Sequence, residues 1–219
     1  MVATTGLRAR DIYPSRKLPI VAERTALLVI DVQNWVMDEA NRQPRPSFYR
    51  DARETVIPNL ARLAEACRAN GVEVVYTVME NFTEDGRDRS LDYKLSNFFI
   101  PKGSHDAKVI DELAPVGDEM VIPKTSSSLF NSTNFEYLAR NIGLDTIIVT
   151  GFLTDQCVDH TIRDGADRGF HMICVSDGCA TDTHERHHAA LNAFKGYCRM
   201  ETTESLIAAL GDAGDAAAR

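Results

Sequence analysis

The sequence lacks the features that mark membrane proteins and proteins stapled by disulfides. No apolar run approaches the roughly 20 residues that a membrane-spanning helix needs. The segment Met1–Pro19 contains no apolar signal core. Five cysteines are present, but their number is odd and none forms a Cys-x-x-Cys pair, which argues against a disulfide framework or a cysteine zinc site. We therefore expect a cytoplasmic protein with no membrane partner.

Positive charge is also scarce, since 24 lysines and arginines stand against 32 aspartates and glutamates, for a formal net charge of −8. Such a surface repels phosphate backbones, so we expect no nucleic-acid partner. The length of 219 residues and the hydrophobic fraction of 44% fit one globular domain with a large core. We assign residues 1–24 to an N-terminal arm, 25–210 to the domain and 211–219 to a flexible tail.

Short apolar runs rich in branched residues alternate with segments of helical periodicity. The runs fall at 25–31, 72–79, 119–123, 145–150, 171–176 and 197–201, and the longer helical segments lie near 51–70, 132–142, 155–168 and 184–195. This alternation predicts an α/β fold, a single domain with a doubly wound, mostly parallel six-stranded sheet and helices on both faces. In such sheets, ligands bind beyond the carboxyl ends of the strands.

Four charged or reactive residues follow the predicted strands: Asp31, Lys124, Cys157 and Asp177. Cys157 lies where a strand and a glycine turn lead into a helix, whose N-terminal dipole lowers the pKa of a thiol. Asp31 is placed to accept the thiol proton, and the cation of Lys124 to hold the thiolate. Each residue alone also fits a structural role, as a packing cysteine, a capping carboxylate or a surface lysine. Three together at one sheet edge favour chemistry.

Three stretches carry a resemblance to a known family. They are Thr25–Asn34 (TALLVIDVQN), Pro123-Lys124 with Ser128 and Phe130 downstream, and the string T-x-x-C-V-x-x-T-x-R-D from Thr154 to Asp164. Together they resemble the isochorismatase-like cysteine hydrolase superfamily. The resemblance implies a catalytic triad of Asp31, Lys124 and Cys157. It also implies a cis peptide bond at Phe152–Leu153, with the backbone N–H groups of Leu153 and Cys157 directed at the oxyanion.

The same resemblance narrows the chemistry. Nicotinamidases of the superfamily hold a metal with an aspartate and histidines downstream of the second strand, whereas Met79–Lys94 contains no histidine. The cysteine favours cleavage of a carbon–nitrogen bond over the vinyl-ether hydrolysis of isochorismatases that lack it. The stretch Pro101–Pro115 resembles the subgroup that acts on ureidoacrylate, biuret or triuret. The resemblance thus implies an amidohydrolase without metal or cofactor that cleaves a small ureide or carbamoyl amide through a thioester and releases ammonia or an amine. It also implies a homo-oligomer, dimeric or tetrameric.

Three alternatives stay open. An amidase for nicotinamide, maleamate or an N-carbamoyl amino acid would use the same triad. The segment 184–188 (HERHH) matches the His-Glu-x-x-His pattern of zinc peptidases, with His184 and His188 on one helix face. No obvious third ligand follows, so a surface helix capped by Thr183 or Asp182 is the simpler interpretation. The third alternative is a non-catalytic binding protein, which the intact triad disfavours.

The candidates for substrate binding combine aromatic rings, which cover the faces of a flat ureide, with polar groups, which pair with its edges. They are Gln33, Asn34, Trp35, Tyr93, Lys94, Phe130, Phe152 and Gln156. The remaining cysteines, Cys67, Cys174, Cys179 and Cys198, are expected to pack in the interior.

Overall fold

A sheet of six parallel strands lies at the centre of the fold. The computed structural model describes residues 16–217, so most of the predicted N-terminal arm and residues 218–219 of the predicted tail lie outside the described residues. The strands are β1 (Thr25–Ile30), β2 (Glu73–Met79), β3 (Met120–Lys124), β4 (Thr146–Phe152), β5 (His171–Ala180) and β6 (Arg199–Glu201). They pair in the order β3-β2-β1-β4-β5-β6, each pair parallel. The predicted α/β fold with a doubly wound six-stranded sheet is confirmed.

Helices cover both faces of the sheet. They are α1 (Pro46–Asp51), α2 (Ile57–Ala69), α3 (Leu91–Leu95), α4 (Leu129–Ser132), α5 (Phe135–Ile142), α6 (Asp159–Asp167), α7 (His184–Phe194) and α8 (Thr203–Ala217). Helix α8 continues past residue 210, where the sequence predicts that the domain gives way to a tail. Within residues 16–217, the helices are too short or too polar to cross a membrane.

The central strand β1 is buried along its whole length. Successive residues of a strand face opposite sides, so its side chains enter two hydrophobic layers. Leu27 and Val29 join the layer formed with α2 and α8. Leu28 and Ile30 join the layer formed with α5, α6 and α7. An apolar run without polar alternation is typical of such a strand, and it places the residue that follows, Asp31, at the middle of the carboxyl edge.

A continuous helical segment runs from Pro46 to Ala69, longer than the helix predicted near residues 51–70. A π turn at Ala52–Val56 joins α1 to α2 just before Pro58. Proline has no backbone N–H and its ring crowds the preceding turn, so the wider turn accommodates it within the helix. Arg45 precedes this segment as the N-cap residue of α1.

Strands β1 and β4 approach closely at Gly151, which has a φ of +104°. A Cβ atom there would lie 2.1 Å from the carbonyl oxygen of Ile30, so only glycine fits. The cis peptide bond expected between Phe152 and Leu153 is present. The chain then enters the turn that carries Cys157, so this thiol emerges beside the end of β1.

Candidate active site

Asp31, Lys124 and Cys157 meet beyond the carboxyl edge of the sheet. Asp31 follows β1, Lys124 ends β3, and Cys157 lies just after β4. The Nζ atom of Lys124 lies 2.8 Å from Oδ2 of Asp31 and 3.3 Å from Sγ of Cys157. Relative exposures are 1% for Asp31, 0% for Lys124 and 5% for Cys157. The arrangement fits an Asp–Lys–Cys triad.

Asp31 is positioned by the neighbouring strand β2. Its backbone N–H donates to the carbonyl oxygen of Thr77 at 3.0 Å, and its Oδ1 accepts a hydrogen bond from Oγ1 of Thr77 at 2.7 Å. Its φ of +55° is a left-handed conformation that aspartate tolerates better than most residues. Oδ2 pairs with the Lys124 ammonium by charge, without the alignment of a hydrogen bond. That oxygen is therefore available to accept a proton.

Lys124 bridges the cluster. Its Nζ atom also contacts Oη of Tyr93 at 3.0 Å and donates to the carbonyl oxygen of Ser126 at 3.1 Å. Burial favours the neutral amine, but the neighbouring Asp31, Cys157 and Tyr93 together outweigh it and raise the pKa of Lys124 well above the ordinary value. The side chain is therefore an ammonium that holds the surrounding groups together.

Cys157 lies within a π turn, Thr154–Val158, and α6 begins only after it. Burial raises the pKa of the Cys157 thiol to about 11, and Asp31 adds to the rise while Lys124 opposes it. The lowered pKa expected at a helix N-terminus is therefore wrong, because in the interior a thiolate loses its hydration. Cys157 rests as a neutral thiol and needs a base beside it to become a nucleophile. Asp31 lines the same cavity as Cys157, and Lys124 contacts both of them.

Tyr93, predicted as a substrate contact, belongs to this buried cluster. Its Oη atom lies 3.0 Å from Nζ of Lys124 and 3.7 Å from Sγ of Cys157. Burial raises the pKa of the Tyr93 phenol well above its usual value, and the neighbouring Cys157 adds to the rise. The side chain is therefore a neutral phenol. Because its oxygen accepts from Lys124, its own proton can be directed at the sulfur.

A cavity of about 310 Å³ opens onto Asp31 and Cys157. Its wall mixes rings and aliphatic chains with a few polar groups, as in other small-molecule sites. The lining residues are Asp31, Trp35, Val36, Asn41, Arg45, Met79, Phe98, Phe152, Leu153, Gln156, Cys157 and Asp182. Of the predicted substrate contacts, Trp35, Phe152 and Gln156 lie on this wall.

Gln33 and Asn34, also predicted to contact the substrate, hold the surrounding loops instead. The buried Gln33 amide exchanges hydrogen bonds with the backbone of Met79 and donates to the carbonyl oxygen of Asp106 at 2.9 Å. Nδ2 of Asn34 donates to the carbonyl oxygen of His105 at 3.0 Å. These amides satisfy backbone groups that would otherwise be unpaired. This corrects their predicted position on the substrate wall.

Phe130 and Lys94 face away from the cavity as well. The Phe130 ring packs 5.6 Å from the ring of Phe135 within the hydrophobic layer beneath α5 and α6. Nζ of Lys94 donates at the surface to the carbonyl oxygen of Arg87. Consecutive residues of a helix point about 100° apart, so α3 turns Tyr93 inward and Lys94 outward. The sequence pattern alone does not distinguish the two.

Six residues of the cavity wall were not predicted from the sequence as site residues: Val36, Asn41, Arg45, Met79, Phe98 and Asp182. Asp182 was considered only as a helix cap, whereas Oγ1 of Thr183 caps α7. They come from segments far apart in the chain, and no motif or spacing connects them. Only the tertiary fold brings them to one wall.

Asp177, the fourth residue predicted at the sheet edge, has a structural role. It lies within β5, which is longer than predicted, and its Oδ1 accepts hydrogen bonds from the backbone N–H and hydroxyl of Thr203 at the start of α8. In the His-Glu-x-x-His segment, Nε2 of His184 lies 2.9 Å from Asp51. The part of the chain that the structure describes contains no group of three side chains arranged to hold a metal ion.

Comparison with known protein sequences identifies relatives over most of the chain. The isochorismatase domain family model matches residues 25–205. An N-carbamoylsarcosine amidase from an Arthrobacter species is 37% identical over 156 residues, or 68% of this chain and 57% of that protein. A ureidoacrylate amidohydrolase from Methylorubrum extorquens is 30% identical over 205 residues, or 85% of this chain and 81% of that protein. The match therefore spans less than two thirds of the first relative and most of the second.

Solved structures share the architecture. A cysteine hydrolase from Pseudomonas syringae pv. phaseolicola superposes with a TM-score of 0.80 at 26% identity, covering 90% of this chain and 97% of that chain. An isochorismatase-like hydrolase from Alkaliphilus metalliredigens superposes with a TM-score of 0.71 at 28% identity, covering 85% and 98%. The matched family region contains Asp31, Lys124 and Cys157.

Proposed function

The chain belongs to the isochorismatase family, and we propose that it hydrolyses a carbon–nitrogen bond of a small ureide or carbamoyl amide with Cys157 as the nucleophile. The resemblance noted from its motifs is confirmed, and its named relatives are hydrolases of linear amides. One observation carries the proposal: Nζ of Lys124 lies 2.8 Å from Asp31 and 3.3 Å from Cys157. A carboxylate, an ammonium and a thiol are thereby held together at the cavity.

The first half-reaction forms a thioester. Asp31 takes the proton of Cys157 as the sulfur attacks the carbonyl carbon. A carbon–sulfur bond forms and the carbonyl electrons move to oxygen, where the backbone N–H groups of Leu153 and Cys157 are our candidates to bind the oxyanion. When the carbonyl re-forms, the carbon–nitrogen bond breaks and Asp31 gives its proton to the leaving nitrogen. Ammonia or an amine departs.

The second half-reaction consumes water. Asp31 takes a proton from a water molecule, whose oxygen adds to the thioester carbon. The carbon–sulfur bond then breaks and Asp31 returns the proton to Cys157. The acyl group leaves as a carbamic or carboxylic acid, and the thiol and carboxylate are restored.

Lys124 and Tyr93 stabilise the thiolate of Cys157 in the protein interior. Burial raises the pKa of Cys157 to about 11, so the deprotonated sulfur needs compensation. The ammonium of Lys124 supplies a positive charge as negative charge moves from Asp31 to the sulfur and then to the oxyanion. The hydroxyl of Tyr93 supplies a donor to the sulfur.

The cavity wall supports a small, flat substrate. Trp35, Phe98 and Phe152 provide rings, Gln156 provides an amide, and Asn41 adds the carbonyl of an amide whose Nδ2 donates to the backbone of Trp35 and Val36, around a volume of about 310 Å³. Rings cover the faces of a planar ureide while amides pair with its N–H and C=O edges. Biuret, triuret and ureidoacrylate fit this description. Nicotinamide, maleamate and N-carbamoyl amino acids would use the same triad and are the alternatives to be compared.

The substrate class is tested by measuring kcat/KM from ammonia release across these compounds and simple aliphatic amides. We expect the best ureide to exceed nicotinamide and the aliphatic amides by at least about tenfold, because an analogue that lacks an edge group leaves a buried polar partner unpaired. Nicotinamide or an aliphatic amide that exceeds every ureide tenfold would overturn the ureide assignment.

The nucleophile is tested with Cys157→Ser, which should fold and lose nearly all turnover because the hydroxyl is a much weaker acid than the thiol. The matched control is Cys67→Ala, which removes another buried thiol from α2 and should remain active. Rapid quenching of the natural enzyme with its best substrate should show a mass increase on the peptide that contains Cys157. Full activity of Cys157→Ser would overturn the mechanism.

A further inference from the structure

Arg45 lies in the wall of the cavity that contains Cys157, and its guanidinium carries one donor without a partner. Among the described residues, its Nη2 atom is buried and has no hydrogen-bond partner. A charged donor that loses water without gaining an acceptor is unfavourable. Inside a binding cavity, such a donor indicates where an acceptor of the ligand binds.

The guanidinium of Arg45 is held on two sides. Its Nε donates to Oδ1 of Asp182 at 2.6 Å, and its Cζ lies 4.1 Å from the centroid of the Phe48 ring. Phe48 packs edge-to-face on Phe152 at 4.9 Å, next to the turn that leads to Cys157. A planar guanidinium fixed at Nε and stacked on one face presents its remaining edge in a defined direction. Its Nη2 donor is therefore pre-organised.

Asp182 does not neutralise Arg45 alone. Its Oδ2 accepts a hydrogen bond from Nη1 of Arg186 at 2.7 Å, and Nε of Arg186 donates in turn to Asp155 at 2.7 Å. The charge of Asp182 is thus shared between two guanidinium groups. Because Arg186 also pairs with Asp155, the two cations and two anions balance, and Arg45 offers the cavity a directed donor on a charged group.

We propose that Arg45 binds a carboxylate of the substrate, so that ureides carrying a carboxylate a few bonds from the scissile carbon are preferred to neutral ureides. This inference rests on the proposed function. Arg45 and Cys157 line the same small cavity, so one short molecule can reach both. Trp35, Met79 and Phe98 make much of the remaining wall apolar, and a charge-assisted hydrogen bond is stronger where water is excluded.

The test compares two ureides with chains of the same length, ureidoacrylate and N-(3-hydroxypropyl)urea, of which only the first carries a carboxylate. The natural enzyme should show a kcat/KM at least about tenfold higher for the acid. Arg45→Gln should lower the kcat/KM of the acid by about 10- to 100-fold, the effect of losing one charge-assisted hydrogen bond. It should change the value for the alcohol by less than about threefold.

The matched control is Arg42→Gln. Arg42 belongs to the same segment but pairs with Glu39 at the surface, with its side chain 68% exposed. Its loss removes the same charge and should leave both substrates unaffected. Thermal unfolding of each variant separates a binding defect from misfolding.

A binding measurement separates this proposal from the proposed function. Calorimetry with Cys157→Ser needs no turnover, and we expect at least about tenfold tighter binding of the acid than of the alcohol. Equal binding of the two, or equal losses for both in Arg45→Gln, would overturn the role of Arg45, and ureide hydrolysis would stand. If the natural enzyme hydrolyses neither of these ureides, nor biuret or triuret, but does hydrolyse another amide, the proposed function fails, and the calorimetric preference still decides whether Arg45 binds carboxylates.

Discussion

The phenolic oxygen of Tyr93 lies 3.0 Å from the Nζ atom of Lys124. This contact joins the short helix α3, within the long segment between β2 and β3, to the buried ammonium of the candidate triad. The segment is anchored nearby, since the backbone N–H of Ser90 donates to the carbonyl oxygen of Thr125 and the hydroxyl of Ser90 accepts from the Tyr93 N–H. Helix α3 therefore contributes directly to the environment of the sulfur.

Replacing Tyr93 by phenylalanine should lower kcat by about 10- to 100-fold, the usual effect of removing one hydrogen bond to a charged group. KM should change little, because Tyr93 is not among the residues that line the cavity. Steady-state kinetics on the best ureide measure both. The control is Tyr76→Phe, which removes a buried hydroxyl that accepts from Arg68 at 3.0 Å, away from the triad. Equal kcat losses in the two variants would contradict a specific role for Tyr93.

Thr77→Val should reduce kcat by about tenfold by releasing Oδ1 of Asp31 from its 2.7 Å hydrogen bond. The isosteric control is Thr150→Val, which removes a buried hydroxyl that donates to the carbonyl oxygen of Leu28 at 2.9 Å on β4. Both variants should lose similar free energy of unfolding, about 1 kcal/mol, so chemical denaturation measures the shared effect. Only Thr77→Val should slow turnover. Comparable slowing in both would show that strand stability matters rather than the orientation of Asp31.

Asp31→Asn and Lys124→Met should each abolish turnover, with kcat reduced by at least about three orders of magnitude. Each single change also leaves the other buried charge unpaired and should cost about 3–5 kcal/mol of unfolding free energy. The double variant removes both charges, so it should recover much of that stability and none of the activity. Denaturation and turnover measured on the three proteins separate the two effects. Stability losses that simply add in the double variant would contradict the buried ion pair.

Lys124→Arg should be as inactive as Lys124→Met in the same turnover measurement. A planar guanidinium cannot reproduce the contacts that a compact ammonium makes with Asp31, Cys157 and Tyr93 at 2.8–3.3 Å.

Sequence patterns predicted the three triad residues, because the ends of the strands determine where these residues lie. The apolar run of β1 and its following Asp31, the Pro123-Lys124 step of β3, and the Thr154–Asp164 string are local features. In a parallel sheet such features converge at one edge. The predicted sheet and the meeting of the three side chains therefore required no knowledge of the loops.

Sequence patterns did not predict what depends on burial and loop packing. The raised pKa of Cys157 reflects the depth of the thiol, and local spacing indicates only its nearness to a helix. Gln33 was misplaced because its amide satisfies backbone groups of Met79 at the end of β2 and of Asp106, both distant in sequence. Arg45 gains its orientation from Asp182, a contact across 137 positions of the chain. Such pairings exist only in the folded molecule.

The pH dependence of thiol labelling tests the environment of Cys157. Iodoacetamide reacts with the thiolate, and burial raises the pKa of Cys157 to about 11. In substrate-free protein the labelling rate should therefore rise about tenfold per pH unit above pH 7 and level off only near pH 11, as peptide mapping would record. Burial raises the pKa of Cys67 and Cys198 to about 12, and neither lines the cavity, so Cys157 should be labelled before both.

The raised pKa of Cys157 also makes the free energy of unfolding depend on pH. The folded pKa of Cys157 lies above the unfolded value of about 8.5, so folding favours the protonated thiol. That contribution is fully present below about pH 8.5 and is lost as pH rises toward 11. The unfolding free energy of the natural protein should then decline more steeply over this range than that of Cys157→Ser.

Tyr93→Phe removes a hydrogen bond that lowers the pKa of Cys157, so it should move the labelling curve to higher pH. A labelling rate that is already level at pH 8 would instead mean that the pKa of Cys157 is lowered, as expected for a thiol at a helix N-terminus.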